Sequence, residues 1–121
     1  MQPNFLRLNG VTREERHEMI SRVKEAIQKG SGYILDFHMF SNRSICLNFE
    51  LPLGKIGKLR DELRATGLLL DDASLSVLDP CSRRAEQLSE KESASEVSGT
   101  LKISFIHNDP DLRIEVPPIP G

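Results

Sequence analysis

Residues 12–66 carry the pattern that most constrains how this chain can fold, because the spacing of apolar residues changes twice along them. Helical spacing comes first, over Met19, Ile20, Val23, Ala26 and Ile27. Alternation follows over residues 33–51, which is typical of two paired strands, and helical spacing returns at Ile56, Leu59 and Leu63. This order predicts a helix, a β-hairpin and a second helix.

The alternation also predicts how the two strands of the hairpin pair. Cross-strand partners share a face, so the register that keeps apolar residues together is favoured, and a slip of one residue would mix the faces. The predicted pairs are Met39 with Ile45, Phe37 with Leu47 and Leu35 with Phe49. The apolar face of the hairpin is therefore expected to pack against the helices.

Shorter apolar stretches at residues 5–8 and 68–78 read as strands on either side of this unit, which gives the order βαββαβ over residues 4–78. A polar loop or linker is expected at 79–98. A C-terminal hairpin is expected over 99–116, with apolar residues alternating around a turn at 108–111, and a Pro-rich tail at 117–121. The prediction is one α+β domain, a two-layer sandwich with both helices on one face of the sheet.

This element order resembles the ferredoxin-like sandwich, in which two βαβ units interleave. It is also similar to the small ligand-sensing ACT domains, which place a loop glycine between the first strand and the first helix, where Asn9-Gly10-Val11 stands here. The ACT resemblance implies a ligand-sensing role. The extra hairpin at 99–116 departs from both families.

Composition narrows the class of function. The chain has 121 residues, which suits one domain, and a net charge of −2, which argues against strong attraction to nucleic acid or to an anionic membrane. Two cysteines are too few for a disulfide framework, and neither a signal peptide nor a membrane-spanning run is visible. We therefore expect a cytoplasmic protein without a cofactor or a bound metal.

The hairpin face opposite the helices holds the first candidate site. Its members are Asp36, His38, Cys46, Asn48 and Glu50, with Ile34 and Phe40 as apolar neighbours. The predicted register places His38 opposite Cys46 and Asp36 opposite Asn48. These groups suit ligand binding, and zinc accepts such nitrogen, sulfur and oxygen donors. An antiparallel sheet covered on one side also shows polar residues to water without any site, and a flat face of this kind suits a dimer contact.

The second candidate is the turn at Gly54, Lys55, Gly57 and Lys58, followed by a basic helix. It is similar to the GXXG loop of KH domains, in which glycines let the backbone close on nucleic-acid phosphates. By that resemblance Lys55 and Lys58 would contact phosphate. The match departs from the family because a strand and Pro52, rather than a helix, precede it.

No catalytic or cofactor motif is present. The sequence therefore predicts a non-enzymatic binding or interaction module that self-associates as a homodimer, and the ACT resemblance adds ligand sensing as a role. The alternative is a nucleic-acid-binding protein that uses the Gly54–Gly57 turn and the basic second helix. A metal-dependent enzyme using Asp36, His38 and Cys46 is the third reading.

Overall fold

The structure, a computed structural model, describes residues 5–41 and 43–106. Within these ranges the chain forms five strands and four helices. The strands are β1 (Phe5–Thr12), β2 (Tyr33–Ser41), β3 (Ser44–Pro52), β4 (Leu69–Leu70) and β5 (Glu96–Phe105). The helices are α1 (Arg16–Lys29), α2 (Ile56–Ala65), α3 (Asp72–Ala85) and α4 (Glu90–Ser93), with a 3₁₀ turn at Leu53–Lys55 before α2.

All five strands join one open sheet in the order β2-β3-β5-β1-β4. Only β1 and β5 run parallel, so the sheet is mixed. Alternate residues of β1, β3 and β5 are buried, and they form one apolar core with the inward faces of α1, α2 and α3. The protein is therefore an α+β fold with helices packed on one face of the sheet, and the opposite face is called the open face below.

Strand β5 corrects the predicted topology. It was expected as the first half of an appended hairpin, but it lies between β3 and β1, so the predicted ferredoxin-like strand order is not observed. Its apolar residues Val97, Leu101, Ile103 and Phe105 are all buried. This alternation also fits a strand in the middle of a sheet, which is paired along both of its edges. The other half of the predicted hairpin, the turn at 108–111 and the tail at 117–121 lie outside the described residues.

Helix α3 replaces both the predicted strand after residue 74 and the start of the predicted polar loop at 79–98. Asp71 caps it, since the Asp71 side chain accepts a hydrogen bond of 2.8 Å from the Ser74 amide. Its buried face consists of Ser74, Leu78, Cys81 and Ser82. Two of these four residues are serines, so the helical spacing is hidden from a pattern based on hydrophobicity. Helix α4 also lies in the predicted loop and begins with a capping box of Ser89 and Glu92.

The centre of the sheet contains a close approach between Phe49 and Gly99, which are paired across β3 and β5. Phe49 is fully buried, and a Cβ atom added to Gly99 would lie 2.6 Å from the Phe49 ring. The ring therefore occupies the space that a side chain at residue 99 would need. Glycine at this position is a packing requirement of the core.

Gly99→Ala is expected to destabilise the protein by about 1–3 kcal/mol, because the added methyl group must displace a buried ring. Gly57→Ala is the matched control. Gly57 lies in α2, and its added Cβ would meet nothing closer than Ser82, at 3.6 Å, so alanine there is expected to stabilise by about 0.5–1 kcal/mol. Urea unfolding followed by circular dichroism measures both, and equal effects of the two substitutions would contradict this packing.

Candidate functional site

The open face carries rows of polar side chains that run across neighbouring strands. One row joins β2, β3 and β5: the Asn48 side-chain amide donates a hydrogen bond to the Asp36 carboxylate at 2.5 Å, and the Thr100 hydroxyl donates to the Asn48 side-chain oxygen Oδ1 at 3.0 Å. The predicted pair of Asp36 and Asn48 is confirmed by the register. Thr100, which β5 brings to the row, was not among the predicted site residues.

A second row is centred on Glu50. The Tyr33 hydroxyl lies 2.8 Å from a Glu50 oxygen and 2.9 Å from a Glu96 oxygen, and Ser98 donates to the other Glu50 oxygen at 3.2 Å. Hydrogen bonding of the phenol to Glu50 and then to Glu96 raises the pKa of Tyr33, because ionisation would place a third negative charge beside two carboxylates. This row ties the outer strand β2 to the sheet centre.

His38 and Cys46 are paired across β2 and β3, as predicted, and Lys102 on β5 is the next residue in that row. Burial raises the pKa of the Cys46 thiol, so the thiol stays protonated at neutral pH and is a poor nucleophile. Among the described residues, no three His, Cys, Asp or Glu side chains are grouped as metal ligands would be. The geometry of this row therefore gives no particular support to the metal-enzyme reading.

Two irregularities in the β2–β3 ladder change which side chains share a face. One lies between Ile34 and Asp36 and the other between Met39 and Ser41, so Leu35 and Phe40 have no partner in the register. Ile34, rather than Leu35, pairs with the buried Phe49 and packs against the core. The prediction that placed Ile34 on the polar face is therefore wrong, because an extra residue in one strand reverses the faces beyond it.

The same irregularity brings Tyr33 to the open face, where it was not predicted. The register of the remaining residues is confirmed, with Phe37 opposite Leu47 and Met39 opposite Ile45. A sequence pattern does not reveal a bulge, because alternation on either side of it is intact and only the phase between the two halves changes. Glu50 and Glu96, the acidic partners of Tyr33, are distant from it in the sequence and do not reveal the bulge either.

The outer edge of β2 is the most apolar exposed part of the described structure. No other described strand pairs with this edge. Five large side chains on the strand are between 45% and 62% exposed, and these are Tyr33, Leu35, Phe37, Met39 and Phe40. Edge strands are usually protected by charges or by a covering segment, because their free amides and carbonyls can pair with another chain. An edge with this much apolar surface is typical of an interaction site.

A groove of about 620 Å³ lies between α1 and β2, on the helix side of this edge. Its apolar lining consists of Ile20, Phe37, Met39, Phe40 and Ile45. Phe40 was predicted on the polar face but lines this groove, which corrects its placement. The groove was not foreseen, since it depends on how far α1 covers the outer strand.

The polar part of the groove lining is basic. Arg16, His17 and Lys24 of α1 complete it, and no acidic residue is among the described residues that line it. The Lys24 ammonium lies 4.5 Å from the centroid of the Phe37 ring, a cation–π contact. The Nδ1 atom of His17 already lies 2.8 Å from the Glu15 carboxylate, so the apolar lining of the groove, rather than its charge, is what suits a partner segment.

The Gly54–Lys58 turn lies away from the open face and is covered by helices. A Cβ atom on Gly54 would coincide with the Ser93 hydroxyl of α4, and Gly57 faces Ser82 of α3. Lys55 and Lys58 are exposed. Because α4 occupies the space next to Gly54, the backbone there is not open in the way a KH-like phosphate clamp requires.

The basic second helix is also partly engaged with acidic residues. Arg60 lies 3.1 Å from Asp61 and 3.5 Å from Asp79. Gly10, which the ACT resemblance placed in a loop before the first helix, lies within strand β1 instead. Neither the nucleic-acid reading nor the ACT-like ligand loop gains support from these positions.

Tyr33 is the single tyrosine of the chain, which contains no tryptophan, so its ionisation can be followed directly by ultraviolet absorbance. We expect it to titrate above the ordinary value of about 10. A raised folded-state pKa means that its contribution to stability is present below the unfolded-state pKa and is lost as the pH rises through the folded-state pKa. Glu50→Gln should lower this pKa, whereas Glu90→Gln, on exposed α4, should leave it unchanged. Equal titration in both variants would show that Tyr33 does not contact Glu50.

Comparisons with known proteins identify no relative of this chain. No family model, no curated protein and no solved structure matches the chain. None of the helices within 5–41 and 43–106 combines the length and the apolar character that spanning a membrane requires. The features of this chain that bear on function are therefore the open face, the edge of β2 and the adjoining groove.

Proposed function

We propose that this chain is a non-enzymatic protein-interaction module that forms homodimers through the outer edge of β2. The observation that carries the proposal is the exposed apolar surface of that edge, which includes Leu35, Phe37 and Phe40. A nine-residue strand with one free edge offers backbone hydrogen bonds as well as apolar contact. Closed pairing of two identical copies would cover such an edge in both.

The energetics favour a contact larger than the edge strand alone. The four half-exposed apolar side chains of the strand other than Tyr33 could contribute on the order of 4 kcal/mol if a partner buried them fully. Association itself costs about 4–15 kcal/mol in lost freedom of motion. The edge by itself would therefore give a weak dimer, and a stable one requires the backbone hydrogen bonds of β2 and the groove beside it. This comparison favours a partner segment that fills the groove.

The open face is a weaker candidate for the same role. Its polar side chains bond to one another, as in the rows of Asp36, Asn48 and Thr100 and of Tyr33 and Glu50. A partner would have to compete with these hydrogen bonds or leave polar groups unpaired, which is costly. The edge of β2 offers exposed apolar surface without that cost.

The strand order supports a further proposal about the fold, that it is a ferredoxin-like βαββαβ sheet with β5 inserted. Without β5 the order is β2-β3-β1-β4, and β1 remains antiparallel to β4, as β2 does to β3. That is the arrangement of two interleaved βαβ units. In this view the inserted strand separates β1 from β3 and leaves β2 as the outer strand. Fold kinship does not specify an activity.

Phe40→Asp is expected to convert the dimer to a monomer in light scattering coupled to size-exclusion chromatography. A carboxylate buried at the contact should weaken association at least about 30-fold, or roughly 2 kcal/mol. The side chain is 62% exposed in the single chain, so circular dichroism should show little loss of folded stability.

Leu69→Asp is the matched control, since Leu69 is 68% exposed on the opposite edge of the sheet, in β4. It should remain dimeric. A wild-type protein that is monomeric at every concentration tested would overturn the proposed self-association, and dissociation by both variants would contradict its location at β2.

A further inference from the structure

We infer that β2 of one copy pairs antiparallel with β2 of a second copy about a two-fold axis beside His38, so that the two five-stranded sheets become one continuous sheet. This inference rests on the proposed self-association at β2 and specifies the residues that make the contact. Three observations carry it, namely the direction of the backbone groups along the free edge, the positions of the two irregularities, and the side chains that the register brings together.

Hydrogen bonds at the two ends of β3 show which of its backbone groups point to which neighbour. At one end the Phe105 amide donates to the Arg43 carbonyl, and at the other the Leu53 amide donates to the Ser95 carbonyl, both at 2.7 Å. Both pairs lie directly opposite each other when the β3–β5 register is continued by one residue. In an antiparallel ladder only alternate opposite pairs exchange hydrogen bonds. The odd-numbered residues of β3 therefore direct their amides and carbonyls to β5, and the even-numbered ones direct theirs to β2.

The same alternation determines which backbone groups of β2 point to its free edge. Asp36 and His38 pair with even-numbered residues of β3, so their amides and carbonyls bond to β3. Phe37 and Met39 pair with odd-numbered residues of β3, so their amides and carbonyls point away from it. In the regular stretch 36–39, Phe37 and Met39 are therefore the residues that offer backbone hydrogen bonds to a partner strand.

Two outward residues separated by one position are complementary to a second copy of themselves. With the axis beside His38, Phe37 lies opposite Met39 of the partner subunit, and Met39 lies opposite the partner's Phe37. Both pairs can exchange N–H···O bonds in each direction, so this register uses all the outward groups of the regular stretch. An axis beside Phe37 or Met39 would use only one residue of each copy, because the irregularities at Leu35 and Phe40 interrupt the strand on either side.

The side chains that this register brings together are compatible. On the helix side, each Phe37 meets Met39 of the partner subunit, and a thioether beside an aromatic ring is a favourable contact. These partner side chains border the groove, whose lining includes Phe37, Met39 and Ile20. The one formally charged residue of β2, Asp36, accepts a hydrogen bond from Asn48 and lies two positions from the axis, so like charges do not face each other. The register thus adds backbone hydrogen bonds and groove contact to the exposed apolar surface, as a stable dimer requires.

Hydrogen exchange of single amides, followed by NMR on the wild-type protein at several concentrations, tests the use of these backbone groups. The Phe37 and Met39 amides should become protected as the dimer forms. When nine chains in ten are dimeric they should exchange about tenfold more slowly, because only the monomer exposes them. The Asp36 and His38 amides are the internal control, since they bond to β3 in the monomer and in the dimer alike.

Disulfide trapping locates the axis. The two copies of residue 38 would form a non-hydrogen-bonded pair with Cα atoms about 4.5 Å apart, which a disulfide can span. In a Cys46→Ser background, which removes the thiol opposite residue 38, His38→Cys should cross-link the two chains under mild oxidation. Asp36→Cys in the same background is the matched control and should not cross-link, because the two copies of residue 36 would lie about 13 Å apart along the strands.

The outcomes separate this register from the proposed self-association. If His38→Cys does not cross-link, the register is refuted, and cross-linking of Phe37→Cys or Met39→Cys instead would leave self-association at β2 standing about another axis. If the wild-type protein is dimeric in light scattering but its Phe37 and Met39 amides exchange freely, another surface forms the dimer, and both the register and the location at β2 are refuted. A wild-type protein that is monomeric at every concentration would overturn both proposals.

Discussion

Strand β5 holds the two halves of the sheet together, because it pairs along its length with β1 on one side and with β3 on the other. Its inward residues complete the core under the helices, and Gly99 makes room there for the ring of Phe49. Both neighbours precede β5 by more than forty residues in the chain. The sheet therefore cannot close until the C-terminal part of the described chain is in place, which makes folding dependent on long-range contacts.

The position of β5 also determines what the two faces of the sheet become. It brings Thr100 and Ser98 beside Asn48 and Glu50, so that the polar residues of the hairpin bond across three strands. The polar side chains of the open face, which the sequence suggested as ligand-binding groups, are thus largely engaged in hydrogen bonds with one another. The exposed apolar surface instead collects at the outer strand β2, where α1 covers only part of the helix side.

The bulge at Leu35 affects both the hydrogen bonds of the open face and the exposed surface of β2. By reversing the faces at one end of β2, it moves Tyr33 to the open face, where the phenol meets Glu50 and Glu96, and directs Ile34 to the core. The strand is thereby anchored at its beginning by polar contacts and by packing. Its remaining length, which includes Phe37 and Phe40, is left exposed. Bulges often protect an edge strand from pairing with another chain. In β2, however, the stretch between the two irregularities keeps regular strand pairing.

The sequence by itself determined the features that depend on local periodicity. These are α1, α2, the β2–β3 hairpin, most of its register and the inward face of β3, since apolar spacing specifies which side of each element is buried. Helix α3 was not predicted, because two of the four residues on its buried face are the serines Ser74 and Ser82.

Only the tertiary structure decided the place of β5, the face of Tyr33 and the groove between α1 and β2. Each of these results from competition between distant segments for positions in one sheet. Strand alternation is the same for a central strand and for an edge strand, and on either side of a bulge, so it does not encode which neighbour a strand finds.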